Sequence, residues 1–333
     1  MPFRSPLRTS RFPFVLAFAA SLLLGGCSGN DQPVTPGPDC DGLNLLTFTS
    51  DRDQAPGQTD IYLYDLDLSA YRGLPGLNTT GPEHHATLAY DRRILAFVGS
   101  RGSGSEDILL YNRCTAILIP VPEIATASNE GDPAFSGDGK LLAFARDTTS
   151  GWRLRMFDGQ ALALVAMPEL DSLASANGPY DDRHPTATAG AGLIAFSSNR
   201  NGNWDVFLYD RTRDSVLDIP ELRSAGDDDD PWITPDGRFV VFASNRTGGA
   251  GGWDIYLFDV QSRTLIAVPN LNSASDERDP AIWKDGSLIL FSSNRSGGPG
   301  RADLWSYGRG SQTLGPMLSS SPGDDLEPGL TSP

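Results

Sequence analysis

Apolar stretches recur along this chain at a nearly constant interval, and each of them ends in phenylalanine. The six stretches read LLTF, ILAF, LLAF, LIAF, FVVF and LILF. They end at Phe48, Phe97, Phe144, Phe196, Phe242 and Phe291, at intervals of 46 to 52 residues. A period of this length predicts a repeat architecture in which every repeat is one supersecondary unit.

Each repeat continues with polar and apolar residues in alternation, a pattern typical of β-strands. Five copies begin with Asp and read DIYLYD, DILLYN, DVFLYD, DIYLFD and DLWSYG, whereas the third reads WRLRMFD. A third apolar stretch ends near Pro, as in TLIAVP at 264–269, and a short fourth one carries DPAFS, DPWIT or DPAIW before an Asp-Gly turn. Asp-Gly is a strong hairpin signal. The pattern predicts an all-β fold, a six-bladed β-propeller of four-stranded antiparallel blades.

The two ends of the repeat array complement each other. The first phenylalanine strand lacks a preceding short strand, and one short strand is left over at the C-terminus, where 327–331 aligns with 279–283. We therefore expect the C-terminal strand to complete the innermost position of blade 1, within a propeller that spans 43–333. This pairing would leave no open gap in the ring.

The repeat also resembles that of TolB-type propellers. The resemblance rests on a D-P-x-x-S-x-D-G turn followed by F-x-S-N-R and D-I-Y, and it covers roughly 43–332. It implies a six-bladed propeller in a cell-envelope, protein-binding role. The N-terminal α/β domain of TolB has no counterpart in the short stretch between Cys27 and the first strand.

The N-terminus has the pattern of an export signal. Residues 1–30 lack Asp and Glu, and Arg4, Arg8 and Arg11 precede an apolar run over 12–24. That run is too short to span a bilayer and fits a secretory signal. It ends in Leu-Gly-Gly-Cys, which resembles the lipobox of bacterial lipoproteins and implies lipidation of Cys27. The alternative is an ordinary signal peptide that carries a free cysteine.

The sequence accordingly predicts a lipoprotein signal peptide at 1–26 and a lipidated flexible tether at 27–42. The protein would be exported and lipid-anchored in the cell envelope, on the periplasmic or the surface side of an outer membrane. Cys40 and Cys114 would then meet an oxidising compartment, where a residual pair usually forms a disulfide. Two free thiols are the alternative.

The charge argues against a nucleic-acid partner, because 26 Lys and Arg face 42 Asp and Glu for a net charge of −16. We number each short strand from the residue 11 places before the phenylalanine of its blade. This position 0 falls on Ala86, Pro133, Pro185, Pro231 and Pro280, with Pro328 by circular alignment.

Acidic residues recur at fixed places in this numbering. Position −3 is acidic in all six copies: Glu83, Glu130, Asp182, Asp228, Glu277 and Asp325. Position −1 holds His85, Asp132, His184, Asp230, Asp279 and Glu327. Position −4 adds Asp181, Asp227, Asp276 and Asp324. We expect the acids at positions −3 and −1 to form a partner-binding ring at one mouth of the central channel.

An alternative interpretation is that these acids hold the blades together. Five arginines lie four residues after the blade phenylalanine, namely Arg52, Arg101, Arg200, Arg246 and Arg295, and Arg146 lies two residues after it in the third blade. Positions −4 to −1 contain 15 acids and two further arginines. Complete pairing with the arginines would still leave a surplus of negative charge, which attracts cations.

No catalytic constellation is recognisable, since the chain lacks G-x-S-x-G and a phosphate-binding loop. No cofactor is predicted. Oxygen-rich clusters suit Ca²⁺, which stays a secondary hypothesis because EF-hand spacing is absent. His85 and His184 fall in non-neighbouring blades, so a shared metal would have to span the channel. We interpret them as replacements of acids.

These observations predict a membrane-anchored, non-catalytic, monomeric scaffold that binds a cationic protein or peptide segment. The alternative is a metal-assisted, Ca²⁺-type enzyme or binder that acts on an acidic polysaccharide.

Overall fold

The computed structural model describes residues 44–55, 58–100, 104–170, 180–318 and 323–331. The chain divides into two compact units, 1–35 and 36–333, and all described residues belong to the second. Within them, 24 strands form six four-stranded antiparallel sheets. The predicted six-bladed propeller is confirmed.

The strands follow one another in the order of the repeats. Blade 1 contains β1 (Leu45–Ser50), β2 (Asp60–Asp65) and β3 (Ala70–Arg72), and blade 2 contains β4 (Glu83–Leu88), β5 (Ile94–Gly99), β6 (Asp107–Asn112) and β7 (Ile117–Ile119). Blade 3 contains β8 (Glu130–Phe135), β9 (Leu141–Thr148), β10 (Gly151–Asp158) and β11 (Ala163–Val165). Blade 4 contains β12 (Asp182–Ala187), β13 (Leu193–Ser198), β14 (Asp205–Asp210) and β15 (Ser215–Leu217). Blade 5 contains β16 (Asp228–Ile233), β17 (Phe239–Ser244), β18 (Asp254–Asp259) and β19 (Thr264–Ile266). Blade 6 contains β20 (Glu277–Ile282), β21 (Leu288–Ser293), β22 (Asp303–Gly308) and β23 (Thr313–Pro316), and β24 spans Asp325–Thr331.

The apolar cores lie between adjacent blades. All six repeat phenylalanines are fully buried, at 0% exposure. Phe196 packs with Met156 and Leu154 of blade 3, and Phe291 packs with Val241 and Ile255 of blade 5. Phe48, Phe97 and Phe242 pack against the preceding blade in the same way, which explains why the apolar pattern repeats once per blade.

The C-terminal strand closes the ring as predicted. Strand β24 pairs antiparallel with β1, so blade 1 is built from both ends of the chain. The hydroxyl of Thr47 donates to the carbonyls of Gly329 at 3.3 Å and Ala86 at 2.9 Å. A side chain in blade 1 thus joins the last strand to blade 2.

Every innermost strand contains a β-bulge near the propeller axis. The pairing register shifts across positions −1 and 0 in all six blades, for instance between His84 and Thr87 and between Asp229 and Trp232. All six residues at position −1 have left-handed backbone, with φ between 49° and 55°. A bulge re-aims the side chain that it carries.

The two faces of the propeller are built from different turns. The innermost strands begin at the end where the second strand of each blade finishes, and we call this end the mouth face. The Asp-Gly hairpins at 138–139, 236–237 and 285–286 lie at the opposite end, the hairpin face. Cys114 follows β6 in a turn on the hairpin face.

Several sequence predictions fall outside the described residues. The signal peptide, the tether, Cys27, Cys40 and Arg101 are among them, so lipidation and the disulfide between Cys40 and Cys114 stay predictions. None of the helices in the described part of the chain has the length and apolar character that crossing a bilayer demands.

Candidate functional site

The acids at position −3 are buried beneath the mouth face instead of lining it. Glu83, Glu130, Asp182, Asp228, Glu277 and Asp325 are all at most 1% exposed. A group this deeply buried cannot be reached by a partner while the blades are intact. The expectation that these six residues belong to the accessible ring is therefore corrected.

Most of these carboxylates instead pair with the arginine that follows the blade phenylalanine. The distance from the arginine to the carboxylate is 2.7 Å in blades 1, 4, 5 and 6, and 2.8 Å for Arg146 and Glu130 in blade 3. In blade 2 the carboxylate of Glu83 accepts hydrogen bonds from the backbone N–H and the hydroxyl of Thr79. The guanidinium groups also stack on the repeat phenylalanines, at 5.1 Å for Arg246 on Phe242.

The acids at position −4 have a different structural role, which is to accept a hydrogen bond from the preceding blade. Asp181 accepts a hydrogen bond from the backbone N–H of Trp152 in the preceding blade, at 2.8 Å. Asp227, Asp276 and Asp324 do the same for Trp204, Trp253 and Ala302, at 3.0 to 3.1 Å. The interpretation that acids hold the blades together is therefore correct at position −4, whereas the arginine pairs of position −3 lie within single blades.

Position −1 is where the sequence-predicted ring is found. The residues of this position from all six blades line one axial cavity of about 110 Å³: His85, Asp132, His184, Asp230, Asp279 and Glu327. The bulge geometry places them there, since it turns the side chain of every blade toward the axis. The cavity is large enough for several water molecules.

The two histidines approach each other closely across Asp132. Asp132 Oδ1 lies 4.0 Å from His85 Nε2 and 3.8 Å from His184 Nε2. The ligand atoms of these three residues all lie within 4.8 Å of one another. The expectation that a metal shared by the histidines would have to span the channel is wrong, because the six innermost strands converge on a narrow axis.

Charge on this side of the ring is balanced by close pairing. Although burial alone would raise the pKa of Asp132, His184 and Arg183 hold it well below its ordinary value. Burial would likewise lower the pKa of His184, but the carboxylates of Asp132, Asp230 and Asp229 raise it well above its ordinary value. These carboxylates therefore favour the protonated form of His184 as long as no other cation takes its place.

The opposite side of the ring is different. Burial, together with the neighbouring carboxylates of Asp230 and Glu327, raises the pKa of Asp279 to about 6. Asp279 accepts a hydrogen bond from the hydroxyl of Ser292 at 2.7 Å, and Arg278 lies 3.9 Å from Asp230. Asp279 thus lies between the carboxylates of Asp230 and Glu327, which also contact His184 at 3.0 Å and His85 at 3.2 Å, and the three carboxylates from blades 5, 6 and 1 form one group beside the histidines.

Only part of the predicted negative charge lines the axial cavity. The acids at positions −4 and −3 make structural contacts, and positions −2 and −1 hold five carboxylates and two arginines. Sequence reasoning missed this division because it treated all four positions as one surface. The sequence did contain a signal for the buried pairs. An arginine follows the blade phenylalanine in the same repeats that carry an acid at position −3.

Comparisons with known proteins agree with the fold. No family model and no curated protein sequence matches the chain. Among solved structures, TolB from Acinetobacter baumannii has a TM-score of 0.69 and 15% identity, covering 90% of this chain and 69% of that one. A protein described as a TolB from Agrobacterium tumefaciens has a TM-score of 0.60 and 15% identity, covering 85% of this chain and 91% of that one.

Enzymes share the architecture as well. An oligogalacturonate lyase in complex with manganese has a TM-score of 0.55 and 15% identity, covering 83% of this chain and 74% of that one. Likenesses at this level of identity establish a shared fold and leave the activity open. The chain is thus built on the six-bladed propeller fold of TolB-type proteins, as its repeats predicted.

Proposed function

We propose that the protein is a binding scaffold whose mouth face binds a cationic segment of a protein or peptide. The observation that carries this proposal is the group of three carboxylates formed by Asp230, Asp279 and Glu327. Burial and, after it, repulsion from Asp230 and Glu327 raise the pKa of Asp279 to about 6. A lysine or arginine side chain from a partner would relieve this repulsion, and the low-dielectric walls of the cavity would strengthen the attraction.

The shape of the site supports the same assignment. Pro231, Pro280, Pro328 and Gly329 line the cavity next to the three carboxylates and give it apolar walls. A narrow axial cavity of this kind fits an extended segment or a single side chain better than a flat protein surface. The likeness to TolB propellers supports a binding scaffold at the level of fold.

A charge-matched pair of triple variants tests the proposal. The probe is a fluorescent octapeptide of alternating Arg and Gly, and binding is followed by fluorescence anisotropy at low and high NaCl. In D230N/D279N/E327Q we expect at least about 10-fold weaker binding and a flatter salt dependence. D138N/D236N/D285N removes the same charge from the hairpin face and should bind as the wild type does. Equal binding by both variants would exclude the three carboxylates as the site.

The second part of the proposal is attachment to a membrane of the cell envelope through Cys27. It rests on the lipobox-like sequence Leu-Gly-Gly-Cys after an apolar run. Metabolic labelling with a fatty-acid analogue should label the wild type, and C27S should be unlabelled and absent from the membrane fraction. C114S is the matched cysteine control. Labelling of C27S would show that the anchor lies elsewhere.

One observation favours a second function, a metal-assisted enzyme that acts on an acidic polysaccharide. The ring holds two histidines beside carboxylates, and the fold is shared with an oligogalacturonate lyase in complex with manganese. Incubating the protein with Mn²⁺ and oligogalacturonate would reveal unsaturated uronate products by their ultraviolet absorbance. The carboxylates of the ring repel such a substrate, so we place this function second.

A further inference from the structure

We propose that His85, Asp132, His184 and Glu327 form a binding site for a divalent transition-metal ion. Zn²⁺ is taken as the example, and its bond lengths are used below. The site lies on the propeller axis, where the innermost strands of blades 1 to 4 meet. It goes beyond the proposed peptide binding, because it shares Glu327 with that site but depends on the two histidines and predicts a different ligand.

Three of the donor atoms lie close together. The ligand atoms of His85, Asp132 and His184 are all within 4.8 Å of one another, and Asp132 Oδ1 lies 4.0 Å from His85 Nε2 and 3.8 Å from His184 Nε2. Glu327 Oε1 lies beside them, 3.2 Å from His85 Nε2. Ligand atoms bound about 2.1 Å from a common ion are roughly 3.0 to 3.4 Å apart, so metal binding would draw these side chains together by up to about 1.5 Å.

The histidines are held so that Nε2 points toward the axis. His184 Nδ1 lies 2.9 Å from Asp229 Oδ1 and 3.0 Å from Asp230 Oδ1. A metal-binding histidine commonly donates its other ring N–H to a carboxylate, which fixes the ring and its tautomer. The Nδ1 atoms of His85 and His84 lie 2.7 Å apart, so the ring of His85 is also held through Nδ1, and its Nε2 can bind a metal ion when Nδ1 donates to His84.

The carboxylates are held in a comparable manner. Glu327 Oε2 accepts hydrogen bonds from the hydroxyl of Thr49 at 2.7 Å and the backbone N–H of His85 at 2.8 Å. This leaves Oε1 directed at His85. Asp132 Oδ2 accepts a hydrogen bond from Arg183 Nε at 2.9 Å, and Arg183 Nη2 lies 3.2 Å from Oδ1. Glu327 therefore has one oxygen committed to the protein and another beside His85, whereas both oxygens of Asp132 accept hydrogen bonds from Arg183, and a metal ion would share Oδ1 with that arginine.

The donor set decides which class of ion fits. Two imidazoles and two carboxylates suit Zn²⁺, Co²⁺, Mn²⁺ and Fe²⁺. Ca²⁺ and Mg²⁺ prefer sites made of oxygen atoms only. The Ca²⁺ considered from the sequence alone is thus less well matched to these residues than a transition metal is.

Cobalt provides a direct test, since Co²⁺ bound by histidine and carboxylate absorbs visible light in a way that reports its ligands. The full-length chain, purified without a histidine tag, is titrated with Co²⁺ and the visible spectrum is recorded. We expect one equivalent to bind, Zn²⁺ to displace it, and equimolar Ca²⁺ to leave it in place. Absence of a stoichiometric Co²⁺ spectrum in the wild type would overturn the proposal.

Variants identify the ligands. H85N and H184N keep a residue type that tolerates the left-handed backbone of position −1. Each should lower the Co²⁺ affinity at least about 100-fold, since even the outer partners of metal ligands contribute 10- to 100-fold. D132N should do the same, whereas D236N, which removes an equal charge on the hairpin face, should bind as the wild type does. Wild-type affinity in both histidine variants, or an equal loss in D236N, would refute the site.

Folding is monitored in parallel by circular dichroism and thermal unfolding. Should one histidine variant fail to fold, the other variant and the wild-type spectrum still decide the outcome. The arginine–glycine octapeptide distinguishes this proposal from the proposed function: H85N keeps all carboxylates and should retain peptide binding while it loses Co²⁺.

Discussion

Arg246 Nη2 lies 2.7 Å from Asp228 Oδ1, and the carboxylate is fully buried beneath the mouth face. The guanidinium also lies over the rings of Phe242 and Tyr256. The same relation between arginine and carboxylate recurs in blades 1, 3, 4 and 6. The pair therefore links the start of the innermost strand to the turn that follows the second strand.

Removing one partner of this pair should destabilise the protein strongly. We expect D228N to lower the free energy of unfolding by about 3 kcal/mol, because it leaves a mostly buried guanidinium without its counter-charge. Urea denaturation measures the effect. R213A serves as the control, because it breaks a surface pair between Arg213, whose side chain is 73% exposed, and Asp210. It should change the free energy of unfolding by less than about 1 kcal/mol. A D228N loss no larger than that of R213A would contradict a structural role for the position −3 pairs.

Removing the last strand should open the ring. A chain that stops after residue 322 lacks β24, and with it the pairing to β1 and the contacts of Asp325 to Ser50 and Arg52 at 2.6 and 2.7 Å. We expect the unfolding midpoint to fall by about 10 °C or more. A chain that lacks only residues 332 and 333 keeps β24 and serves as the control. Unchanged melting of the shorter chain would show that closure does not stabilise the ring.

Asp279 should make the stability fall as the pH rises. The pKa of its carboxyl is raised to about 6 in the folded protein from an ordinary value of 3.8, so the folded state disfavours the charged form. Stability is therefore lost between about pH 4 and pH 6 and is not regained above that range. D279N should be more stable than the wild type at pH 7.5, on the order of 2 kcal/mol, and should match it near pH 4.

Urea titrations at the two pH values measure this difference. D285N, which replaces an acid on the hairpin face, shows how far any Asp-to-Asn change alters the stability. A D279N chain that is no more stable than the wild type at pH 7.5 would argue against the crowding of carboxylates on this side of the ring.

The cysteine pair can be tested by mapping. If Cys40 and Cys114 form a disulfide, non-reducing digestion should yield one peptide pair that contains both. Reduction should then lower the unfolding midpoint, since the cross-link restricts the unfolded chain. C114S should melt like the reduced wild type. Recovery of both cysteines as alkylated thiols without prior reduction would rule the bond out.

The sequence predicted the fold well because each element of a blade carries its own local signal. The phenylalanine strands, the Asp-Gly turns and the spare strand at 327–331 all follow from alternation and turn chemistry. The burial of position −3 and the hydrogen bonds of position −4 were beyond the reach of the repeat alone. Strong repetition of Asp228 or Asp181 is equally expected of a functional ring and of a structural contact within or between blades, and only the three-dimensional structure separates the two.

The histidine cluster was missed for a geometric reason. His85 and His184 lie two blades apart, and their distance depends on how closely the innermost strands approach the axis. The bulge at position −1 shortens that distance by directing each side chain inward, and a backbone bend of this kind leaves little trace in the pattern of apolar residues. Asp132 occupies position −1 in the blade between those of the two histidines, and this placement was the one sign in the sequence that the three side chains could meet.

The way the ring closes also sets a condition on biosynthesis. Blade 1 takes its innermost strand from Asp325–Thr331, close to the end of the chain. Its first strands are made early and expose an unpaired edge until β24 has been made. Blades 2 to 6 draw on consecutive sequence and can form while synthesis continues. The circle can consequently close only after all six repeats have been translated, and a chain that terminates before β24 retains an open edge that other chains can pair with.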